Sequence, residues 1–346
     1  MQMRYLGHSG LQVSALGFGT MTFGGAGDYF AGLGTQDVAD ARRLLDISID
    51  AGVNLFDTSD IYSGGLAEEI LGEALGTRRG RVIVATKIRF ATGAGPNDAG
   101  LSRHHVLNAV DASLRRLNTD HIDLLQLHEI DPATPLDETL HAVDDLVRAG
   151  KVRYLGVSNY SAWMITKALG IAEARGWERI VSHQAYYSLA CRDIEFELVP
   201  CALDEGFGHI VWSPLAGGFL SGKFRRGQEA PNDSRRGRGW GDIVPIEDER
   251  GLDTVEVAAE IAEARGVSVA QVAINWLRTR PTVSSVILGA RREEQLVDNL
   301  AAATWDLTPE ETERLDAVSS PRVPYPQWHQ WDWAADRPVG PNRVAL

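Results

Sequence analysis

The chain has 346 residues, 44% of them hydrophobic and 23% charged, which is the range of folded globular proteins; an α/β barrel can use this length as one domain. Its 47 acidic and 34 basic residues leave a net charge of −13, which disfavours nucleic acid and anionic membrane surfaces as partners. There is no apolar run of about 18 residues and no charged-then-apolar leader, so the expectation is a cytoplasmic protein without a membrane span. Cys191 and Cys201 fit no C-x-x-C or Cys/His pattern, so no metal site and no dithiol chemistry are expected.

In chain order, residues 3–6 and 11–14 flank His8-Ser9-Gly10 and predict a hairpin suited to plugging the N-terminal mouth of a barrel. Short β-branched runs then alternate with stretches of helical periodicity. Candidate strands are 15–21, 54–59, 82–88, 122–128, 153–159, 180–186, 209–215 and 284–290. Amphipathic stretches at 36–51, 66–76, 102–117, 136–149, 161–175 and 192–205 mostly run from Ser, Thr or Asp to Gly or Arg, as helix ends prefer. Repeated β-α units predict a parallel sheet, and eight of them predict a closed (β/α)8 TIM barrel. No boundary interrupts the pattern, so residues 1–346 read as a single domain.

After the seventh strand, 216–252 is rich in Gly, Arg, Pro and Asp and too long for an ordinary connection, so it reads as a lid. Its arginines, Arg225, Arg226, Arg235, Arg236 and Arg238, suggest a solvated lid with one or two side chains reaching a phosphate, in preference to a nucleic-acid patch. The tail from Ser319 carries Pro321, Pro324, Pro326, Pro338 and Pro341 with Trp328, Trp331 and Trp333. It is expected to be non-helical and to pack on the barrel.

In such a barrel the chemistry sits at the C-terminal ends of the strands. Asp57 and Tyr62 follow the second strand, Lys87 ends the third and His128 ends the fourth. Singly they read as a loop cap, half-buried packing, a rim charge and a core histidine. Together they supply a carboxylate, an ammonium and a phenol at one rim, which is what makes a phenol a useful acid near neutral pH. Tyrosine ordinarily titrates near 10, and bringing it toward 7 takes roughly 4 kcal/mol of preference for phenolate, within reach of an ammonium at contact distance. Lys87 would supply that charge and Asp57 would hold it. A Schiff-base role for Lys87, as in barrel aldolases, is the competing chemistry. His104 and His105, without a third ligand at useful spacing, read as surface residues at a helix start. Phe23, Tyr29, Phe30, Phe90, Trp163, Trp240 and Trp328 are candidates for a substrate pocket, with some of them expected to be packing only.

Asp57, Tyr62, Lys87 and His128, in this order and at these strand ends, resemble the catalytic tetrad of the aldo-keto reductase superfamily. The resemblance covers nearly the whole chain, from Gly17-Phe18-Gly19-Thr20-Met21 through Gly156-Val157-Ser158-Asn159, Gln184 and Trp212-Ser213-Pro214-Leu215-Ala216-Gly217-Gly218 to Gly289-Ala290-Arg291-Arg292 and Asn299. It is most similar to the bacterial branch whose seventh strand ends in Trp-Ser-Pro-Leu. The resemblance implies an NADP(H)-dependent carbonyl reductase, NAD(H) being the lesser expectation. The nicotinamide would stack on Trp212, its carboxamide held by Ser158, Asn159 and Gln184, with Thr20, Met21 and Asp57 nearby. The loop carrying Ser213, Pro214, Leu215, Gly217, Leu220, Gly222 and Lys223 would use exposed amides to embrace the pyrophosphate. Arg291 and Arg292, which follow the last strand and open a helix, would with Gly289 meet the adenosine 2′-phosphate, and Gln295 and Asn299 the adenosine. No G-x-G-x-x-G follows any strand, which argues against a Rossmann dehydrogenase. An NADP(H)-binding regulatory or sensor subunit is the alternative from another class. The partner is a small-molecule carbonyl; aliphatic aldehyde, aryl aldehyde and sugar all remain open, as do monomer and homo-oligomer.

Overall fold

Hydrophobic alternation in short segments and a helical stripe between them resolve into a barrel. The computed structural model describes residues 1–224, 226–227, 244 and 246–333, and for Asp28, Tyr29 and Asp248 the backbone alone. A hairpin of β1 (Met3–Tyr5) and β2 (Gln12–Ser14) precedes β3 (Leu16–Gly19). A short α1 (Gly27–Ala31) and α2 (Val38–Asp50) lead to β4 (Leu55–Asp57). There follow α3 (Leu66–Leu75), β5 (Ile83–Ile88), α4 (Arg103–Arg116), β6 (Ile122–Leu127), α5 (Leu136–Arg148) and β7 (Val152–Ser158). Next come α6 (Ala162–Arg175), β8 (Ile180–Tyr186), α7 (Leu198–Glu205) and β9 (Gly208–Trp212). The chain continues with α8 (Asp248–Arg265), α9 (Val269–Arg278), β10 (Val283–Leu288), α10 (Glu293–Ala301), α11 (Pro309–Ser319) and α12 (Gln327–Trp333).

Strands β3 to β10 are parallel and close on themselves, β10 pairing with β3 as well as with β9. This is the (β/α)8 barrel that the alternation predicts. Inward positions at the lower level carry Leu55, Ala85, Leu124, Ile210 and Ile287, which cluster with Leu6 and Val13 of the hairpin. The hairpin thus closes the N-terminal mouth with apolar side chains. Gly7, at φ +57°, passes so close beneath the barrel that a Cβ would meet the Gly206 carbonyl at 2.6 Å. Only glycine tolerates both that conformation and that approach.

Two elements differ from expectation. The stretch 192–205 is a turn at Asp193–Glu195 followed by α7, because Pro200 cannot donate to the Phe196 carbonyl; that oxygen accepts instead from Gln327 Nε2 at 3.2 Å. The tail is not wholly non-helical: α12 forms from Gln327 onward. The N–H of Gln330 reaches the Pro326 carbonyl at 3.0 Å, and proline at a helix start is compatible with the first turn. This segment packs on the barrel's outer layer, Trp331 lying 6.2 Å from Phe196 between ring centres. Part of the expected lid and tail, including Arg225, Arg235, Arg236, Arg238, Trp240, Pro338 and Pro341, lies outside the described residues. Among the described residues no helix is long and apolar enough to cross a membrane.

Candidate active site

Side chains alternate along a strand, so Asp57 on β4, Lys87 on β5, Gln126 on β6, and Ser158 and Gln184 on β7 and β8 fall on the inward face above the apolar floor. Parallel pairing sets their heights, with Lys87 level with Gln126 and Ser158 level with Gln184. Lys87 Nζ donates to Asp57 Oδ1 at 2.5 Å, to the Thr58 carbonyl at 2.8 Å and to the Tyr62 hydroxyl at 3.1 Å. Lys87 is wholly buried, and a buried ammonium is tolerable only when so paired. Burial works against its charge, but the Asp57 carboxylate and then the Tyr62 hydroxyl outweigh it and hold the pKa above the ordinary lysine value. The second Asp57 oxygen accepts from Gln126 Nε2 at 3.0 Å and from Gln184 Nε2 at 2.7 Å.

Tyr62 opens a one-turn 3-10 segment, Tyr62–Gly65, whose Ser63 and Gly64 have positive φ. Its half-buried ring stands 6.0 Å from Phe30 and meets His128 edge-on at 6.1 Å. His128 follows β6, its N–H bonded to the Ile88 carbonyl at 3.0 Å and its Nδ1 lying 3.2 Å from Ser59 Oγ. Phe90 packs edge-on against the imidazole at 4.8 Å. Burial first, then the charges of Lys87 and Arg89, push its pKa well below the usual histidine value, so the ring is neutral near pH 7.

These groups open into a cleft of about 760 Å³ at the C-terminal mouth. Tyr62, His128 and Asp57 face it, while Lys87 sits behind them out of contact with solvent. Of the expected cofactor contacts, Met21, Ser158, Asn159, Gln184, Trp212, Ser213, Pro214, Leu215, Gly217, Lys223, Gly289, Arg291, Gln295 and Asn299 line the cleft. Thr20, Leu220 and Gly222 do not. Thr20 is buried, with its N–H on the Asp57 carbonyl; Leu220 turns into the core; Gly222 abuts Val269. The loop amides are less exposed than expected, since those of Ala216, Gly218 and Leu220 bond to loop carbonyls and that of Gly217 to Ser213 Oγ.

Trp212 is held by Tyr186, 5.0 Å away between ring centres, and by its Nε1 donating to Asn159 Oδ1 at 3.2 Å. Asn159 has φ +58° and donates Nδ2 to the His128 carbonyl at 3.0 Å, so it ties β7 to both. Asparagine is among the residues that accept this left-handed conformation. At the far end, Gln36 Nε2 donates to the Arg291 carbonyl at 3.0 Å and fixes the turn before α10.

Among the aromatic candidates, Phe30 and Phe90 line the cleft. Phe23 is core packing against Phe18, and Trp163 and Trp328 are exposed away from the cleft. Trp240 and the Tyr29 side chain lie outside the described residues. His105 is not a surface residue as expected: it is 3% exposed, with Nδ1 3.1 Å from the Asn97 carbonyl, while His104 is exposed. Arg226 forms ion pairs with Glu249 and Asp253 on α8. Sequence reasoning passed over Gln126, Ser59 and Asp60. Gln126 had a signal, as the polar residue two before His128 in an otherwise apolar strand end and therefore on its face.

The model of the Aldo/keto reductase family matches residues 15–320. A probable voltage-gated potassium channel subunit beta of Arabidopsis thaliana is 39% identical over 337 residues, covering 94% of this chain and 99% of that one. The uncharacterized oxidoreductase YrpG of Bacillus subtilis is 36% identical over 343 residues, covering 96% and 100%. Versiconal hemiacetal acetate reductase of Aspergillus parasiticus is 33% identical over 349 residues, covering 94% and 99%.

Proposed function

The chain belongs to the aldo/keto reductase family, and from that premise we propose that it reduces the carbonyl of a small aldehyde or ketone, using NADPH, with Tyr62 as the acid. The observation that carries this reading is the buried ammonium of Lys87, 3.1 Å from the Tyr62 hydroxyl and anchored on Asp57.

A nicotinamide dinucleotide fits the residues present. The cleft runs from the phenol past the flat Trp212 ring to basic side chains at Lys223 and Arg291. Gln184 spends its Nε2 hydrogens on Asp57 and Gln126, leaving Oε1 as the acceptor for a carboxamide N–H. Ser158 offers a hydroxyl beside it, and a Cβ at Gly289 would meet open space, which leaves room for a ligand against the backbone. The chemistry the reduced cofactor supplies when bound is a hydride for the carbonyl carbon.

The chain's own residues do the rest. Tyr62 donates its proton to the carbonyl oxygen, and the Lys87 ammonium stabilises the charge left on the phenol oxygen. Asp57 keeps Lys87 charged and in place. His128 donates a hydrogen bond to the developing alkoxide. Phe30 and Phe90 provide apolar walls that exclude water from the reacting centre. NADPH is preferred over NADH because Arg291 stands just before the N-terminus of α10, where a guanidinium and free amides suit a phosphate.

The test is oxidation of NADPH with a panel of aldehydes and ketones, alongside binding titrations with NADPH and NADH. Tyr62→Phe is expected to keep cofactor affinity within a few-fold and to lose at least about a hundred-fold in kcat, the scale of a positioned proton donor. Full turnover by that variant would remove Tyr62 from the role. Relatives named as channel beta subunits favour a second reading, a cofactor-binding regulatory subunit. Tight NADPH binding without turnover of any carbonyl, together with a co-purifying membrane protein, would establish it in place of the first.

A further inference from the structure

We propose that Ser59 and Asp60 decide which ring nitrogen of His128 carries its proton, and with it whether His128 can donate a hydrogen bond into the cleft. Nδ1 of His128 is turned inward to Ser59 Oγ, 3.2 Å away, so Nε2 is the nitrogen left to the cleft that His128 lines. A neutral imidazole has one N–H, and only the form with hydrogen on Nε2 can donate to a carbonyl oxygen there.

Ser59 Oγ accepts from the Ile61 N–H at 3.5 Å, and its one hydroxyl proton has three further neighbours within reach: His128 Nδ1 at 3.2 Å, Asp60 Oδ1 at 3.3 Å and the Lys87 carbonyl at 3.3 Å. The Lys87 carbonyl can only accept. If Asp60 is ionised, its carboxylate is the strongest acceptor, Ser59 donates to it, and Nδ1–H of His128 donates back to Ser59 Oγ. Nε2 is then bare and can only accept. If Asp60 is neutral, its own O–H donates to Ser59 Oγ, the serine hydroxyl donates to Nδ1, and the imidazole hydrogen stands on Nε2. One proton on Asp60 therefore sets the polarity of the relay.

The surroundings of Asp60 favour the neutral form. Asp60 is 1% exposed, and its Oδ2 has no hydrogen-bond partner, a poor environment for a carboxylate. From α3 it faces the carboxylate of Glu68. From α4 it faces Arg116, but that guanidinium is engaged with Glu68 at 2.7 Å, and Thr86 of β5 donates to the same carboxylate. The ammonium of Lys87, also on β5, is directed at Asp57, Thr58 and Tyr62. Beyond Ser59 stands His128 itself. Burial and then Glu68 push the Asp60 pKa up to about 8, against the lowering by Arg116, Ser59 and the Ile61 N–H. Below that pH the relay points the donor into the cleft; above it the donor is withdrawn.

The effect on turnover rests on the reading of His128 as donor to the carbonyl oxygen, whereas the position of the proton does not. The test is heteronuclear NMR of the imidazole nitrogens in the full chain, the His128 signal being identified by its loss in His128→Gln. In the unsubstituted protein the hydrogen is expected on Nε2 at neutral pH and on Nδ1 above about pH 8. Asp60→Asn, whose amide donates at every pH, is expected to keep it on Nε2 throughout. Ser59→Ala is expected to abolish the pH response. A His128 tautomer that does not change across this range, or a transition that survives in Asp60→Asn, overturns the proposal. In parallel, kcat/KM for a reducible aldehyde is expected to fall above the transition by roughly a hundred-fold more in the unsubstituted protein than in Asp60→Asn, the scale of one lost oxyanion donor. If no carbonyl is turned over, the reductase reading fails, and the imidazole spectrum still decides the proton's position.

Discussion

The Asp57 carboxylate accepts from one ammonium and two amides, and these contacts do different work. Lys87 on Oδ1 balances its charge, while Gln126 and Gln184 on Oδ2 fix the rotation of the carboxylate and so the height at which the ammonium meets Tyr62. Gln126 also accepts from Gln184 at 3.1 Å, which prevents the Gln184 amide from turning its carbonyl inward. Replacing Gln126 with Met keeps the volume and removes both contacts. A hydrogen bond to a charged group contributes about 1.5–3 kcal/mol, so kcat/KM should fall ten- to a hundred-fold in steady-state assays of Gln126→Met. An unchanged value would mean that Lys87 alone positions Asp57. Asp57, Lys87 and His128 were legible because each is polar at the end of an apolar run, and Tyr62 because it follows the second strand, five residues beyond Asp57. Gln126 was legible in principle from its spacing to His128. Its partner, 58 residues away on β8, was not, because the contact depends on how far around the barrel the strands are staggered.

At the level of elements, ends are set by capping groups and by backbone conformations that only neighbouring contacts justify. Strand β9 stops at Trp212 because Ser213 has φ +53°, and the loop then passes through Gly217 and Gly218 at φ +66° and +98°. The candidate 209–215 overran this point, since apolar content does not reveal a reversal of φ. Helix α11 shows the opposite case, a start written plainly in the sequence. Thr308 accepts from the Glu311 N–H, Glu311 accepts from the Thr308 N–H, and Pro309 takes the first helical position. Thr308→Ala should cost about 1 kcal/mol in chemical denaturation. It should leave kcat/KM unchanged, because α11 packs on α8 and away from the cleft. A loss of activity at constant stability would show that α11 is coupled to the site.

The whole molecule is a closed sheet whose outer face buries titratable groups under helices, and this predicts how its stability follows pH. His183 and His209 are neighbours on β8 and β9, 5.4 Å apart between ring centres and both 1% exposed or less. Burial pushes both pKa values down, that of His209 to about 3, with His209 adding to the effect on His183. A depressed histidine contributes stability that is present above its unfolded value near 6.5 and is lost as pH falls toward the folded value. Asp60, raised to about 8, has the opposite sign: its contribution is complete below its unfolded value near 3.8 and is lost as pH rises to the folded one. With His128 also depressed, three histidines outweigh one aspartate on the acid side, so these groups place the stability maximum near pH 6.5. Urea midpoints measured across pH should fall on both sides of it. His209→Gln should flatten the acid limb and Asp60→Asn the decline toward pH 8. A midpoint still climbing between 6.5 and 8 would mean that Asp60 is ionised in the folded protein.

By itself the sequence determined the alternation of eight strands with helices, the plugging hairpin and the four polar residues at strand ends. Each of these is recorded in local periodicity, and backbone geometry alone converts that period into a face. Only the tertiary structure decided that Phe23 belongs to the core, that His105 is buried, and that the loop after β9 uses several amides for its own turns. It also decided which side chains surround Asp57, and that Ser59 lies between His128 and a carboxylate facing α3 and α4. The physical reason differs with range: the loop amides, His105 and Phe23 find partners a few residues away through turns that local periodicity does not record. The contacts around Asp57 and between Ser59 and His128 join segments tens of residues apart, at distances set by the closure and stagger of the barrel, which no single stretch of chain encodes.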